Sequence, residues 1–153
     1  VLTVKRFISF DPNACVGCHS CEVACKQFHK LPVGVFRIKI EKKIEKTALT
    51  AFDKRGLAMK FRARLCTQCD DAPCISACSV GALVRGVFGV VVLVKEKCNG
   101  CGACIDACPL QAMWLNPKTN IAEKCNTCVD EPFKIPPCVK HCMGGALKLE
   151  LTT

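Results

Sequence analysis

The sequence predicts an α+β fold built from short helices and β-hairpins strung between groups of cysteine. Three observations lead there. Sixteen of the 153 residues are cysteine, and they fall into four groups of four. The second, third and fourth groups each run into a segment with strand or turn character. A cysteine-free stretch between the first and second groups alternates apolar with charged residues, the period of a strand with one buried face.

The groups form an internal repeat. Cys15, Cys18, Cys21 and Cys25 are spaced C-x2-C-x2-C-x3-C. Cys66, Cys69, Cys74 and Cys78 are spaced C-x2-C-x4-C-x3-C. Cys98, Cys101, Cys104 and Cys108 repeat the first spacing and are followed by Pro109. Cys125, Cys128, Cys138 and Cys142 are spaced C-x2-C-x9-C-x3-C. In each group the first three cysteines are expected on a loop. The fourth falls where a short helix would begin or run, and the chain then leaves toward a strand.

The elements follow in order. After the second group, Leu83-Val84-Arg85 and Val90 to Val94 flank a turn at Gly86 to Gly89, which reads as a β-hairpin. After the third group, Gln111 to Leu115 leads into the turn Asn116-Pro117-Lys118-Thr119-Asn120, and Ile121-Ala122 returns toward Cys125. Gly144 to Leu147 opens a last strand. From Arg37 to Arg64 there are ten Lys or Arg against Glu41, Glu45 and Asp53. Phe36, Ile38 and Ile40 alternate with Arg37, Lys39 and Glu41, and Phe61 with Lys60 and Arg62. This is read as a partly stranded basic insertion, either a solvated hairpin or a docking surface.

Composition narrows the function. Dense cysteine in a short chain suggests a secreted disulfide scaffold. Tight bunching argues against it, as does the lack of an apolar signal segment within Val1 to Phe10. Gly81 to Val94, the most apolar stretch, is broken by Arg85 and two glycines and is shorter than the ~20 residues of a membrane-crossing helix. No direct membrane insertion is expected. The formal charge is +9. Basic chains often meet nucleic acid, but with no Tyr and one Trp there is no aromatic interleaving to support it.

The spacing carries the chemistry. A cubane iron–sulfur cluster needs four thiolates at its corners. Three can come from one tight loop, and the fourth must come from elsewhere. In the run C-x2-C-x2-C-x3-C-P, the fourth cysteine serves the other cluster of a two-cluster module. Such crossing ties distant segments through iron and lets a chain with little apolar core fold. Four oxidised [4Fe–4S] sites would hold about eight negative charges, so the basic excess reads as their compensation. Zinc would suit the fourth group alone, C-x2-C with a distant pair. In the first and third groups, the closely spaced third cysteine crowds a tetrahedral ion. No Ser–His–Asp set, phosphate loop or nucleotide fingerprint is present.

The segments DPNACVGCHSCEVACKQ, CTQCDDAPCISACSVGAL, CNGCGACIDACPLQA and EKCNTC with PPCVKHC resemble the four-cluster ferredoxin-like subunits of the dimethyl sulfoxide reductase iron–sulfur family. The resemblance runs from Asp11 to Leu147. It implies two intertwined bacterial-ferredoxin-like modules, residues 1–36 with 123–153 and residues 65–122, with 37–64 as the insertion. It also implies four [4Fe–4S] clusters. The first would be held by Cys15, Cys18, Cys21 and Cys142. The second would be held by Cys125, Cys128, Cys138 and Cys25. Cys66, Cys69, Cys74 and Cys108 would hold the third, and Cys98, Cys101, Cys104 and Cys78 the fourth.

The implied function is single-electron relay, with no catalysis by the chain itself. The electrons would pass between the cofactor of a catalytic oxidoreductase subunit, best a tungsten or molybdenum pterin enzyme, and an external partner such as a further redox subunit or soluble ferredoxin. Two readings compete: a free-standing diffusible polyferredoxin, and the electron-transfer subunit of a hydrogenase or carbon monoxide dehydrogenase. A structural metal module without redox work is a third class. The expected compartment is the cytoplasm of an anaerobic or facultative organism, or export on a partner's signal. Many members have Pro after the last cysteine of the second and fourth groups, where this chain has Ser79 and Met143. Membrane-anchored members carry a C-terminal transmembrane helix, which the sequence to Thr153 lacks. All four cysteines of the third group are present.

Other residues near the cysteines are His19, His29 and His141, which are expected mainly as polar neighbours. Of these, His19 or His141 would be the donor if one bonded a cluster sulfur. Trp114 is expected as core over a cluster module. Lys124, directly before Cys125, is either a surface lysine or an influence on the neighbouring potential.

Overall fold

The structure, a computed structural model, describes residues 4–46, 56–132 and 134–152. Asp53, counted above in the basic stretch, lies outside them. Among the described residues eight strands pair into four antiparallel two-stranded sheets: β1 (Lys5–Phe10) with β8 (Leu147–Thr152), β2 (Ile38–Lys46) with β3 (Leu57–Leu65), β4 (Leu83–Arg85) with β5 (Val91–Leu93), and β6 (Met113–Asn116) with β7 (Ile121–Lys124). Four helices, α1 (Ser20–His29), α2 (Pro73–Ser76), α3 (Ala103–Asp106) and α4 (Pro137–Lys140), carry cysteines. This is a small mixed architecture of few helices and short strand pairs, as expected. Among the described residues no helix is long and apolar enough to cross a membrane.

The expected hairpins after the second and third groups are β4–β5 and β6–β7, and the strand opened at Gly144 is β8. Its partner β1 has no local turn to announce it. The two strands are brought together from opposite ends of the described chain, with Ile8 opposite Leu149 and Phe10 opposite Leu147. Period-two alternation in KRFISF turns Ile8 inward, where it is 1% exposed. Such a burial is worth about 2 kcal/mol.

The helices differ from expectation in one respect. In the second, third and fourth groups the stub carries the third cysteine (Cys74, Cys104 or Cys138) and ends two residues before the fourth. In the first group, α1 is a ten-residue helix that carries both Cys21 and Cys25. Four residues apart, they share one helix face, and both are buried. The Lys30 amide, in a left-handed C-cap, bonds the Gln27 and Lys26 carbonyls. Lys26 Nζ donates to the carbonyls of Pro32 at 2.8 Å and Val35 at 2.7 Å, fixing the turn into β2.

Two apolar clusters form the interior. One gathers Ile8, Ile38, Ile40, Leu65 and Leu147 around Cys21, Cys25, Cys125 and Cys138. The other gathers Ala72, Leu83, Val91, Met113 and Ala122 around Cys104. The inner half of the β2–β3 hairpin therefore belongs to the first cluster. Its outer half is exposed at Ile44 and Met59, which face each other in register. Trp114 is not core. It is half-buried at the foot of this hairpin, 5.8 Å from the Phe36 ring with the Arg64 guanidinium 4.9 Å above it.

Candidate iron–sulfur centres

The cysteine loops share a backbone device. In all four groups the residue before the second cysteine has positive φ: Gly17, Gln68, Gly100 and Thr127. Glycine adopts this freely, whereas Gln68 and Thr127 are fully buried and hold it inside a packed interior. A second device recurs after the last cysteine of groups two, three and four. The amide three residues on bonds back to the cysteine carbonyl: Gly81 to Cys78 at 3.1 Å, Gln111 to Cys108 at 3.0 Å, and Gly145 to Cys142 at 3.1 Å. The following alanine is buried in each case (Ala82, Ala112 and Ala146). The amides of Ala82 and Ala112 point at the sulfurs of Cys78 and Cys108, at 3.2 and 3.4 Å. The Thr127 amide reaches Cys125 Sγ at 3.3 Å. Amides aimed at sulfur suit a thiolate held by iron.

All sixteen cysteines are free. Cys66, Cys69, Cys74 and Cys108 line one cavity. Cys78, Cys98, Cys101 and Cys104 line another. In each, three cysteines come from one group and the fourth from its neighbour. Around the first interior cluster, the charge on Cys142 and Cys18 bears on Cys21, and Cys25 faces Cys125 and Cys128. Cys138 faces Cys125, Cys25, Cys128 and Cys21. Charge effects also run between groups and along α1: Cys21 bears on Cys25, Cys66 on Cys125, and Cys74 on Cys104.

The donor chemistry fits iron–sulfur clusters. Burial pushes the thiols of Cys21 and Cys128 up to about 12 and that of Cys104 up to about 11, with negative neighbours adding to the shift. Burial likewise raises Cys25, Cys125 and Cys138. Such thiols ionise only with a metal's positive charge beside them. At Cys78 burial opposes the thiolate, but the amides of Leu83, Ala82, Val80 and Gly81 outweigh it and hold the pKa low. Among the described residues no three His, Cys, Asp or Glu side chains converge on one ion's position; a cubane's corners hold thiolates further apart than one ion does.

Cys18 and Cys101 are exposed, whereas Cys25, Cys125, Cys128 and Cys138 are all buried. Cys18 opens onto a groove lined by Val23, Ile135 and Pro137. The histidine that reaches a cysteine sulfur is His29, whose Nε2 is 3.4 Å from Cys128 Sγ. His19 instead meets Glu22 at 3.1 Å and His141 meets the Pro137 carbonyl at 2.9 Å. Burial, then the charge on Arg37, lowers the His29 pKa to about 4. Lys124 is buried, not a surface lysine. The signal sequence reasoning passed over is Arg37, which binds Glu123 Oε2 through Nε at 3.0 Å and Nη2 at 2.7 Å.

A family model described as a 4Fe-4S dicluster domain matches residues 57–152, and one described as a 4Fe-4S binding domain matches residues 12–30. The thiosulfate reductase electron transfer subunit of Salmonella typhi is 36% identical over 150 residues, covering 96% of this chain and 76% of that protein. A tetrathionate reductase subunit of Salmonella typhimurium is 34% identical, covering 89% of this chain and 54% of its own length. A polysulfide reductase component of Wolinella succinogenes is 34% identical, covering 90% and 71%. The chain therefore belongs to the 4Fe-4S dicluster family, among the ferredoxin-like iron–sulfur electron-transfer subunits of the dimethyl sulfoxide reductase type.

Proposed function

We propose that the chain relays single electrons through four [4Fe–4S] clusters between a catalytic molybdenum or tungsten pterin subunit and an external redox partner. One observation carries the ligand assignment: Cys108 lines the cavity of Cys66, Cys69 and Cys74, while Cys78 lines that of Cys98, Cys101 and Cys104. The same crossed logic assigns Cys142 to Cys15, Cys18 and Cys21, and Cys25 to Cys125, Cys128 and Cys138. Two intertwined modules follow, residues 1–36 with 123–153 and residues 65–122, with 37–64 as a hairpin insertion.

When bound, the clusters supply the one-electron capacity. The chain's residues hold each thiolate set, aim amides at sulfur and exclude water from the interior sets. The three linking pairs, Cys21 with Cys25, Cys66 with Cys125, and Cys74 with Cys104, support a linear order from the first site to the fourth. Exposed Cys18 and Cys101 make the two end sites the ports. Relatives named as parts of reductases favour a subunit over a freely diffusing carrier. Cluster ligands as exposed as Cys18 and Cys101 leave iron–sulfur sites open to oxygen, so we place the chain in the cytoplasm of an anaerobic or facultative organism, or in export on a partner's signal.

Metal analysis of the complex captured anaerobically on this chain tests the reading. About sixteen irons per chain with molybdenum or tungsten in fixed ratio is the expected result. Nickel would replace the pterin partner with a hydrogenase or carbon monoxide dehydrogenase, and iron alone would favour the free carrier.

A further inference from the structure

Strand β7 is buried on both faces, and its alternation sends successive side chains opposite ways. Glu123 turns to Arg37. Lys124 turns the other way, into the cavity lined by Cys66, Cys69, Cys74 and Cys108. It is 4% exposed. Its Nζ donates to the backbone carbonyl of Cys125 at 2.8 Å and to that of Val91. No carboxylate of the described residues forms an ion pair with it. Gln68 closes a ring around it. Its Nε2 donates to the Cys125 carbonyl at 2.9 Å, and its Oε1 accepts from the Val91 amide at 2.9 Å.

A buried ammonium held only by carbonyls keeps an uncompensated charge, which proteins tolerate beside an anion or a metal site. The candidate anions are the thiolate-bound sites on either side. Lys124 precedes Cys125 of one set and lines the cavity of the other. Its charge favours the thiolate at both Cys74 and Cys125.

We propose that Lys124 is the shared counter-ion of two adjacent clusters, the one on Cys125, Cys128, Cys138 and Cys25 and the one on Cys66, Cys69, Cys74 and Cys108, and that it raises both potentials together. This rests on the ligand sets proposed above. Each reduction adds one electron from a one-electron donor, with no bond made or broken, and leaves the site more negative. A fixed cation in a low-dielectric interior stabilises that state more than the oxidised one. A shift common to both middle sites leaves the step between them across the module boundary unchanged. A lysine serving only as a clamp would act through its hydrogen bonds alone.

The test is a dithionite titration followed by electron paramagnetic resonance on the full cluster-loaded chain, with K124Q and K124R beside the native protein and iron measured in each. K124Q keeps donors and loses the charge, whereas K124R keeps the charge. Two of the four potentials are expected to fall in K124Q and to return in K124R. A shift of one cluster, of none, or of all four alike would overturn the proposal, as would a fall in K124R equal to that in K124Q. Should K124Q shed iron, loss confined to two clusters with full iron in K124R supports the shared charge. Iron loss in K124R as well means a clamp only and overturns it. A native chain holding fewer than about sixteen irons would count instead against the four-cluster reading.

Discussion

His29 is fixed between two groups that decide its proton. Arg37 Nη1 lies 3.2 Å from Nδ1, and Cys128 Sγ lies 3.4 Å from Nε2. A guanidinium only donates, so Nδ1 accepts and the ring hydrogen sits on Nε2, directed at the sulfur. A cluster-bound thiolate only accepts. The ring is thus a neutral donor, locked in one tautomer by the Arg37–Glu123 pair behind it.

Replacing His29 with Phe should lower the potential of one cluster, because a hydrogen bond to sulfur stabilises the reduced state. With a net loss on the order of 1 kcal/mol, the shift is roughly 40 mV for a one-electron couple. Potentiometric titration reads it. An unchanged set of four potentials would remove His29 from any tuning role.

The crossed ligand sets make a prediction that a local assignment does not. Cys108→Ser should perturb the same cluster signal as Cys66→Ser, and Cys78→Ser the same as Cys98→Ser. Paramagnetic resonance spectra of the four reduced variants compare them directly. If Cys108→Ser instead matched Cys98→Ser, each group would serve its own cluster and the intertwined reading would fail.

Arg37 and Glu123 are 11% and 8% exposed as side chains, and they join the β2 entrance to β7. Removing one partner strands a buried charge, which costs about 3–5 kcal/mol. Arg37→Met or Glu123→Met alone should lower stability by that order in denaturant titrations of the loaded chain. The double variant should recover most of the loss, since two apolar side chains fill the space without a charge. Additive losses would mean that the pair is not a coupled unit.

Two glycines of the third group separate steric from conformational demand. A Cβ on Gly100 would lie 2.2 Å from the Asn120 carbonyl oxygen, at φ +72°. On Gly102, at φ +80°, it would meet nothing within 4 Å. Gly100→Ala should therefore displace the loop and lose about one cluster's four irons. Gly102→Ala should cost only about 1–2 kcal/mol of backbone strain and keep its iron. Iron content and unfolding midpoints measured side by side check both.

What was legible from residues alone is local. The C-x2-C spacing announced a loop at each of the four groups, whereas the left-handed residue before each second cysteine appeared only in the structure. Period-two stretches and Gly or Asn-Pro turns announced β4–β5, β6–β7 and the β2–β3 hairpin, because hairpin partners are near neighbours in the chain. The same short-range spacing nominates the cysteines as candidate cluster ligands.

What only the tertiary structure decided is which distant groups meet. His29 and Cys128 are 99 residues apart, and β1 meets β8 across nearly the whole described chain, so no local period marks either contact. Whether Lys124 faces water or the interior depends on both faces of β7 being covered by segments far from it in sequence. His19, nearer to a cysteine along the chain than His29 is, turns to Glu22 instead. Spacing along the chain determines which atoms can ligate, whereas the charges and donors around each sulfur come from whatever the long-range packing places there.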